Sequence, residues 1–189
     1  MKWIILLMIL FIAPYTYINL HYRKVGPSFQ PYQDARERRR VGQAGYTRVT
    51  LTVARPADLQ PRTPVEHALP APGGLPADLR SALFVAPLLP AAIGPVDAAA
   101  TADADTVYRI EFVCTLSDIK QQLGGAQLYV KGSDIFVLAD FEPLSDGLLA
   151  RSRQNLIVLT VAGRSLAPGQ YRMVLVGTSA SKAWTLQVH

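Results

Sequence analysis

Side-chain catalysis needs a nucleophile beside a base, carboxylates with separated acidities, or a cluster of metal ligands. The 189-residue chain holds three histidines, His21, His67 and His189, and a single cysteine, Cys114. The histidines fall in the flank of an apolar amino-terminal run, in a proline-rich stretch and at the last position, so no metal site is read from them. One cysteine excludes an internal disulfide and any thiolate zinc cluster, because each takes two or more sulfurs. Cys114 sits between apolar neighbours at alternating spacing and reads as a small buried hydrophobe rather than a reactive thiol.

Ser133 and Asp134 follow a glycine in a turn, with neither a GxSxG elbow around Ser133 nor a lysine three residues after it. Gly124 and Gly125 lack the strand, spacing and lysine of a phosphate loop and read as a helix stop. Most of the carboxylates Glu111, Asp140, Glu142 and Asp146 are placed on outward strand faces or in loops, where hydration keeps their acidity ordinary. Asp97, Asp103 and Asp105 lack the glycine turn and distant bidentate glutamate of a calcium loop. The residues therefore predict a protein that is not an enzyme, with no catalytic residue, no metal ligand and no cofactor.

The formal charge is +5, and its location decides its meaning. Residues 1–45 hold seven basic side chains against Asp34 and Glu37, and the rest of the chain balances twelve basic residues with twelve acidic ones. A neutral globular part has no clustered basic face for displacing counterions from phosphates, so a nucleic-acid partner is not expected.

Positions 3–20 read WIILLMILFIAPYTYINL, without a formal charge and long enough to approach a hydrocarbon core of about 30 Å. The residues after the apolar run, Pro14 to Ile18, make a poor signal-peptidase site, which favours an uncleaved transmembrane anchor over residues 1–24. Trp3 at one end and Tyr15, Tyr17 and Tyr22 at the other form an aromatic belt, joined by Arg23 and Lys24 at the membrane interface. The basic carboxyl flank places the bulk of the chain in the cytoplasm, whereas single amino-terminal anchors commonly export the domain attached to them, and both orientations at the cell membrane stand.

Residues 25–45 form a basic juxtamembrane region. Its segment PYQDARERRRVGQA carries proline for a first turn, early acids, late arginines and Gly45 as a stop, which predicts a short helix. Arg36, Arg39 and Arg40 lie on adjoining faces, and the helix reads either as a strip on anionic lipid or as a solvated spacer.

Residues 46–106 begin with a strand, YTRVTLTVA, in which Val49, Leu51 and Val53 share one face. The stretch from Arg55 to Thr106 holds nine of the fourteen prolines and reads mostly as loop, with a short edge strand expected in ALFVAPLL, positions 82–89. From residue 107 to 189 the pattern becomes that of a β-domain, which the strand at 46–54 is expected to join. Tyr108, Ile110, Phe112 and Cys114 share a strand face, positions 117–123 read as a helix, positions 127–130 and 134–141 form a hairpin, NLIVLTV is a central strand, and positions 170–176 and 182–188 close a second hairpin.

Strands at this spacing, without a βαβ rhythm, predict a mainly β protein whose head is an antiparallel β-sandwich of immunoglobulin-like arrangement, with a partly open β-barrel as the alternative. The ending LAPGQYRMVLVGTSASKAWTLQV is similar in a general way to the last hairpin of many immunoglobulin-like bacterial domains, and the likeness implies Trp184 as a core plug. Phe112, Tyr171 and Trp184 are the expected core aromatics.

Three functions compete. The leading one is a single-pass membrane-anchored sandwich serving as an interaction or accessory and assembly subunit of a membrane complex, with the membrane and other membrane or envelope proteins as partners. The second is a membrane-tethered ligand- or glycan-binding module that uses Tyr129, Phe136 or Phe141 as a stacking platform. The third is an enzyme whose site the long middle segment assembles.

Overall fold

The computed structural model of the chain describes residues 3, 11–17, 31–54, 68–144, 148–150 and 152–189. Residues 1–34 and 35–189 are two compact units. In the first, Trp3 and residues 11–17 are helical. No helix among the described residues is long and apolar enough to cross a membrane. Most of the expected anchor, including residues 4–10 and 18–24 with Tyr22, Arg23 and Lys24, lies outside the described residues.

Helix α1 runs Pro31–Gln43 and ends at Gly45, whose φ of 84° is the left-handed conformation that glycine adopts without a Cβ penalty. Strands β1 (Thr47–Thr50) and β2 (Thr52–Ala54) come next on one continuous stretch. Then come β3 (Leu69–Pro72), α2 (Ala77–Ala82), β4 (Ala92–Ala98), β5 (Thr101–Ala102) and β6 (Tyr108–Thr115). The chain continues through β7 (Gln121–Lys131), β8 (Asp134–Pro143), β9 (Gln154–Val161), β10 (Gly169–Leu175) and β11 (Ala180–Val188).

These strands form two sheets, the layering of a β-sandwich rather than a closed ring. The larger has the order β1-β7-β8-β10-β11-β3 with β5 also on β11, and the smaller has the order β2-β9-β6-β4. The stretch 47–54 changes sheet at the buried Leu51: β1 pairs with β7 and β2 with β9, which stitches one side of the sandwich.

The expectation of a purely antiparallel sandwich needs correction, because β10 pairs parallel to β8, with Met173 opposite Ile135, and β5 pairs parallel to the end of β11. Between β8 and β10 the chain passes through β9 in the other sheet, and a strand that returns after one such passage re-enters in the original direction.

The main core lies between the sheets and includes Ile110, Phe112, Ile157, Leu159, Met173 and Leu186. Phe112 and Trp184 are buried in it as expected. Tyr171 is only partly buried and packs against this core, because its hydroxyl donates to the Ala167 carbonyl at 2.9 Å and holds the ring at the rim. A second apolar cluster occupies the outer face of the larger sheet, where Tyr129, Leu138, Val174 and Val176 meet Val41, Tyr46, Leu79 and Ala82.

Three local expectations are overturned. Positions 117–123 are not a helix: Asp118 Oδ1 accepts the Lys120 N–H at 3.1 Å and Ser117 Oγ donates to Gln121 Oε1 at 3.3 Å, local bonds that favour a turn. From Gln121 the chain is already β7, paired with β8, so Gly124 and Gly125 sit at a bulge in a strand and not at a helix stop. Positions 82–89 do not form an edge strand; Ala82 ends α2 and an isolated bridge joins Leu88 to Phe141. The middle segment also holds more structure than a loop, because β3, α2, β4 and β5 all lie within it. Its prolines fit edge positions: Pro70 and Pro72 lie in β3 at the end of the larger sheet, and Pro95 lies at the bulge of the edge strand β4. Residues 55–67 lie outside the described residues.

Candidate functional site

The distinctive surface is built where α1 and the segment after α2 lie on the outer face of the larger sheet. Val41 has 1% of its surface exposed and Tyr46 has 4%, so the helix and the residues just past it are docked rather than solvated. The Tyr46 ring meets Phe136 edge-on, with centroids 6.1 Å apart, and its hydroxyl donates to Asp78 Oδ1 at 2.9 Å. Lys131 lies over the same ring, with Nζ 4.8 Å from the centroid, and pairs with Asp78. Lys131, then the Tyr46 hydroxyl and the Leu79 N–H, hold the Asp78 carboxyl down at about 2. Burial, reinforced by the neighbouring Asp78, pushes the Tyr46 hydroxyl up. This trio ties the start of β1, the first turn of α2 and the β7–β8 turn together.

After α2 a strap, residues 83–90, crosses the sheet and is fixed by two carboxylates. Glu37 of α1 accepts the Phe84 N–H at 3.1 Å and pairs with Arg48 at 3.7 Å. Asp140 of β8 accepts the Leu88 N–H at 2.9 Å, and the Phe141 N–H donates to the Leu88 carbonyl at 2.9 Å. Between α1, the strap and the sheet lies a cleft of about 130 Å³ whose lining includes Glu37, Val85, Tyr129, Leu138 and Asp140. Burial, with smaller repulsion from Glu142 and Glu37, raises the Asp140 carboxyl, while the Leu88 and Phe141 N–H groups oppose the rise. The reading of Asp140 as an ordinary hydrated carboxylate is corrected by this burial.

Leu83 and Leu89 of the strap pack on the apolar cluster, while its middle turns outward. Phe84 is 41% exposed and Val85 76%. Arg36 and Arg40 stack on the Phe84 ring with guanidinium carbons 5.6 and 4.7 Å from its centroid, and Arg40 also donates to the Ser81 carbonyl. Arg39 is exposed on the same helix.

The other sequence candidates are dispersed. Trp3, Tyr15 and Tyr17 are helical and exposed. Cys114 has no exposed surface, and burial pushes its thiol up to about 12. Ser133 is exposed in the β7–β8 turn, where its carbonyl accepts the Arg172 N–H at 2.8 Å, and Asp134 pairs with Arg172 at 3.8 Å. Glu111 is buried, which its outward strand position did not predict, and pairs with Arg109 at 2.8 Å. Glu142 accepts from the Gln122 amide at 2.7 Å. Asp97 lies in β4, while Asp105 pairs with Arg164 at 2.7 Å. His189 is exposed at the end of the chain, and His21, His67 and Asp146 lie outside the described residues. Among the described residues no group of three His, Cys, Asp or Glu side chains is placed to hold a metal ion. Tyr129 and Phe141 are buried and Phe136 is half-buried under Tyr46, so the proposed aromatic platform faces the protein interior.

Sequence reasoning missed the Glu37–strap–Asp140 surface. A signal for it existed: DIFVLADF is apolar at consecutive positions, the mark of a strand covered on both faces, and something had to cover the outer one.

Comparison with known proteins finds no matching family model, no matching curated protein and no matching solved structure.

Proposed function

We propose that the chain is a single-pass membrane protein in which residues 1–24 anchor an immunoglobulin-like sandwich at the cell membrane, where the sandwich serves as a non-catalytic interaction or accessory subunit of a membrane complex. The observation that carries this reading is the apolar amino-terminal run, in which Phe11, Ile12, Tyr15 and Tyr17 stand exposed on helical backbone, with Trp3 81% exposed. Apolar surface of this kind is stable in lipid and costly in water. The immunoglobulin-like reading draws on a first strand that pairs with both sheets and a last hairpin that buries Trp184; the parallel β8–β10 pair is a departure from it.

A non-catalytic role is supported by the use already made of the polar groups. Glu37 and Asp140 hold the strap backbone, and Cys114 is kept as a thiol by burial. Tethering raises the effective concentration of a neighbouring membrane protein to about millimolar, so a small contact suffices for occupancy.

The test is crosslinking in native membranes and then detergent purification, comparing the full chain with a form lacking residues 1–24. Stoichiometric co-purification of integral membrane proteins with the full chain, lost on deletion, is the expected result. Equal recovery with both forms would show that the tether plays no part.

A further inference from the structure

Resting on the anchor reading, we propose that the arginine face of α1 and the strap beside it form a contact surface for an anionic lipid bilayer, with Phe84 and Val85 entering the headgroup layer. Arg36, Arg39 and Arg40 are spaced i, i+3 and i+4, which places them on one side of the helix, while the buried Val41 and the half-buried Glu37 and Ala44 occupy the side turned to the sheet. The Phe84 ring extends that arginine face, because the guanidinium groups of Arg36 and Arg40 lie against it. Val85, next along the strap, is 76% exposed, more than any other large apolar side chain described in residues 35–189.

Arg36, Arg39 and Arg40 are all exposed on this side of the helix. Two acids of the elements around this surface are turned to other work: Glu37 accepts the Phe84 N–H and pairs with Arg48, and Asp78 is held by Lys131 and Tyr46. An apolar tip ringed by cations is complementary to a layer whose outside is anionic and whose inside is hydrocarbon. An acidic protein would satisfy the arginines and leave Val85 wet. The strap is also held in place before contact, because the Phe84 and Leu88 N–H groups are bound by Glu37 and Asp140, so little ordering is lost on binding.

The experiment places an environment-sensitive fluorophore on the full chain through Val85→Cys. The native Cys114 has no exposed surface and a thiol pushed up to about 12, so labelling is confined to position 85. The labelled chain is reconstituted into vesicles of phosphatidylcholine alone, or of phosphatidylcholine with phosphatidylglycerol. The expected result is a blue-shifted emission, quenched by brominated lipid, only in the phosphatidylglycerol vesicles. It is reversed at roughly 0.5 M salt, where screening shortens to about 4 Å, and weakened by Arg39→Glu, which alters an exposed position. The same aqueous emission in both vesicle types overturns the surface, including the case in which the chain still floats with neutral vesicles and the anchor stands. Failure to float with neutral vesicles, with blue-shifted capture by the anionic ones, removes the anchor and supports the surface.

Discussion

The Trp184 indole N–H donates to the Tyr108 hydroxyl at 3.0 Å, and that hydroxyl donates in turn to the Ala99 carbonyl at 2.8 Å. Trp184 is on β11 of the larger sheet and Tyr108 on β6 of the smaller, so a polar relay crosses an otherwise apolar core. Both ring groups are satisfied, as buried indole and phenol groups require. Burial pushes the Tyr108 hydroxyl up to about 12, against the opposing effect of the Trp184 donor.

Removing either end of this relay costs stability by different routes. Trp184→Ala is expected to cost about 3–5 kcal/mol through the cavity it opens. Tyr108→Phe keeps the packing but leaves the indole N–H unpaired, for about 1–3 kcal/mol. Urea unfolding monitored by circular dichroism checks both, and unchanged midpoints would contradict the placement of Trp184 in the core.

The docked helix gives a local effect. Val41→Asp places a carboxylate in the apolar cluster that holds Tyr129 and Leu138 and is expected to release α1 while the two sheets stay paired. Hydrogen exchange should rise by about 100-fold or more over residues 36–44, as a loss of about 3 kcal/mol implies, with β6 and β9 unchanged. Protection equal to that of the parent chain would show that α1 does not depend on this contact.

These two contacts differ in how far the sequence disclosed them. Tyr108, Ile110, Phe112 and Cys114 alternate cleanly, so the inter-sheet face of β6 was legible from period alone. Trp184 was legible because it closes a hairpin of alternating residues. The Val41 contact was not, because α1 shows one buried apolar residue among arginines, and its partner surface comes from strands about ninety or more positions away. The helix expected at 117–123 failed for a related reason: its local spacing fitted, but pairing of β7 with β8 decided the outcome.

Acid titration separates the two unusual carboxylates by sign. Asp140 is raised in the fold, so protonation favours the folded state, and its contribution falls as pH rises from the ordinary carboxyl value of 3.8 through the raised one. Asp140→Asn retains an acceptor for the Leu88 N–H and is expected to be neutral or stabilising at pH 7, with that slope abolished. Asp78 is lowered to about 2, so its contribution is present above 3.8 and is lost as pH falls toward 2. Asp78→Asn should flatten the acid limb only modestly, because the carboxyl is 45% exposed and screened. Unfolding midpoints across the acid range check both slopes.

Thiol chemistry reports on the core. Cys114 is expected to react with a disulfide reagent only as fast as the sandwich opens, because burial holds it as a thiol. Rapid modification of the native protein would place Cys114 at the surface.

The proposed role turns on the first two dozen residues staying in the bilayer. Alkaline carbonate extraction of membranes from expressing cells, with sequencing of the amino terminus of the retained protein, tests this most directly. A permanent anchor predicts a pelleted chain that still contains Trp3 and Tyr17. A chain released into the supernatant, or one that begins beyond His21, would contradict it.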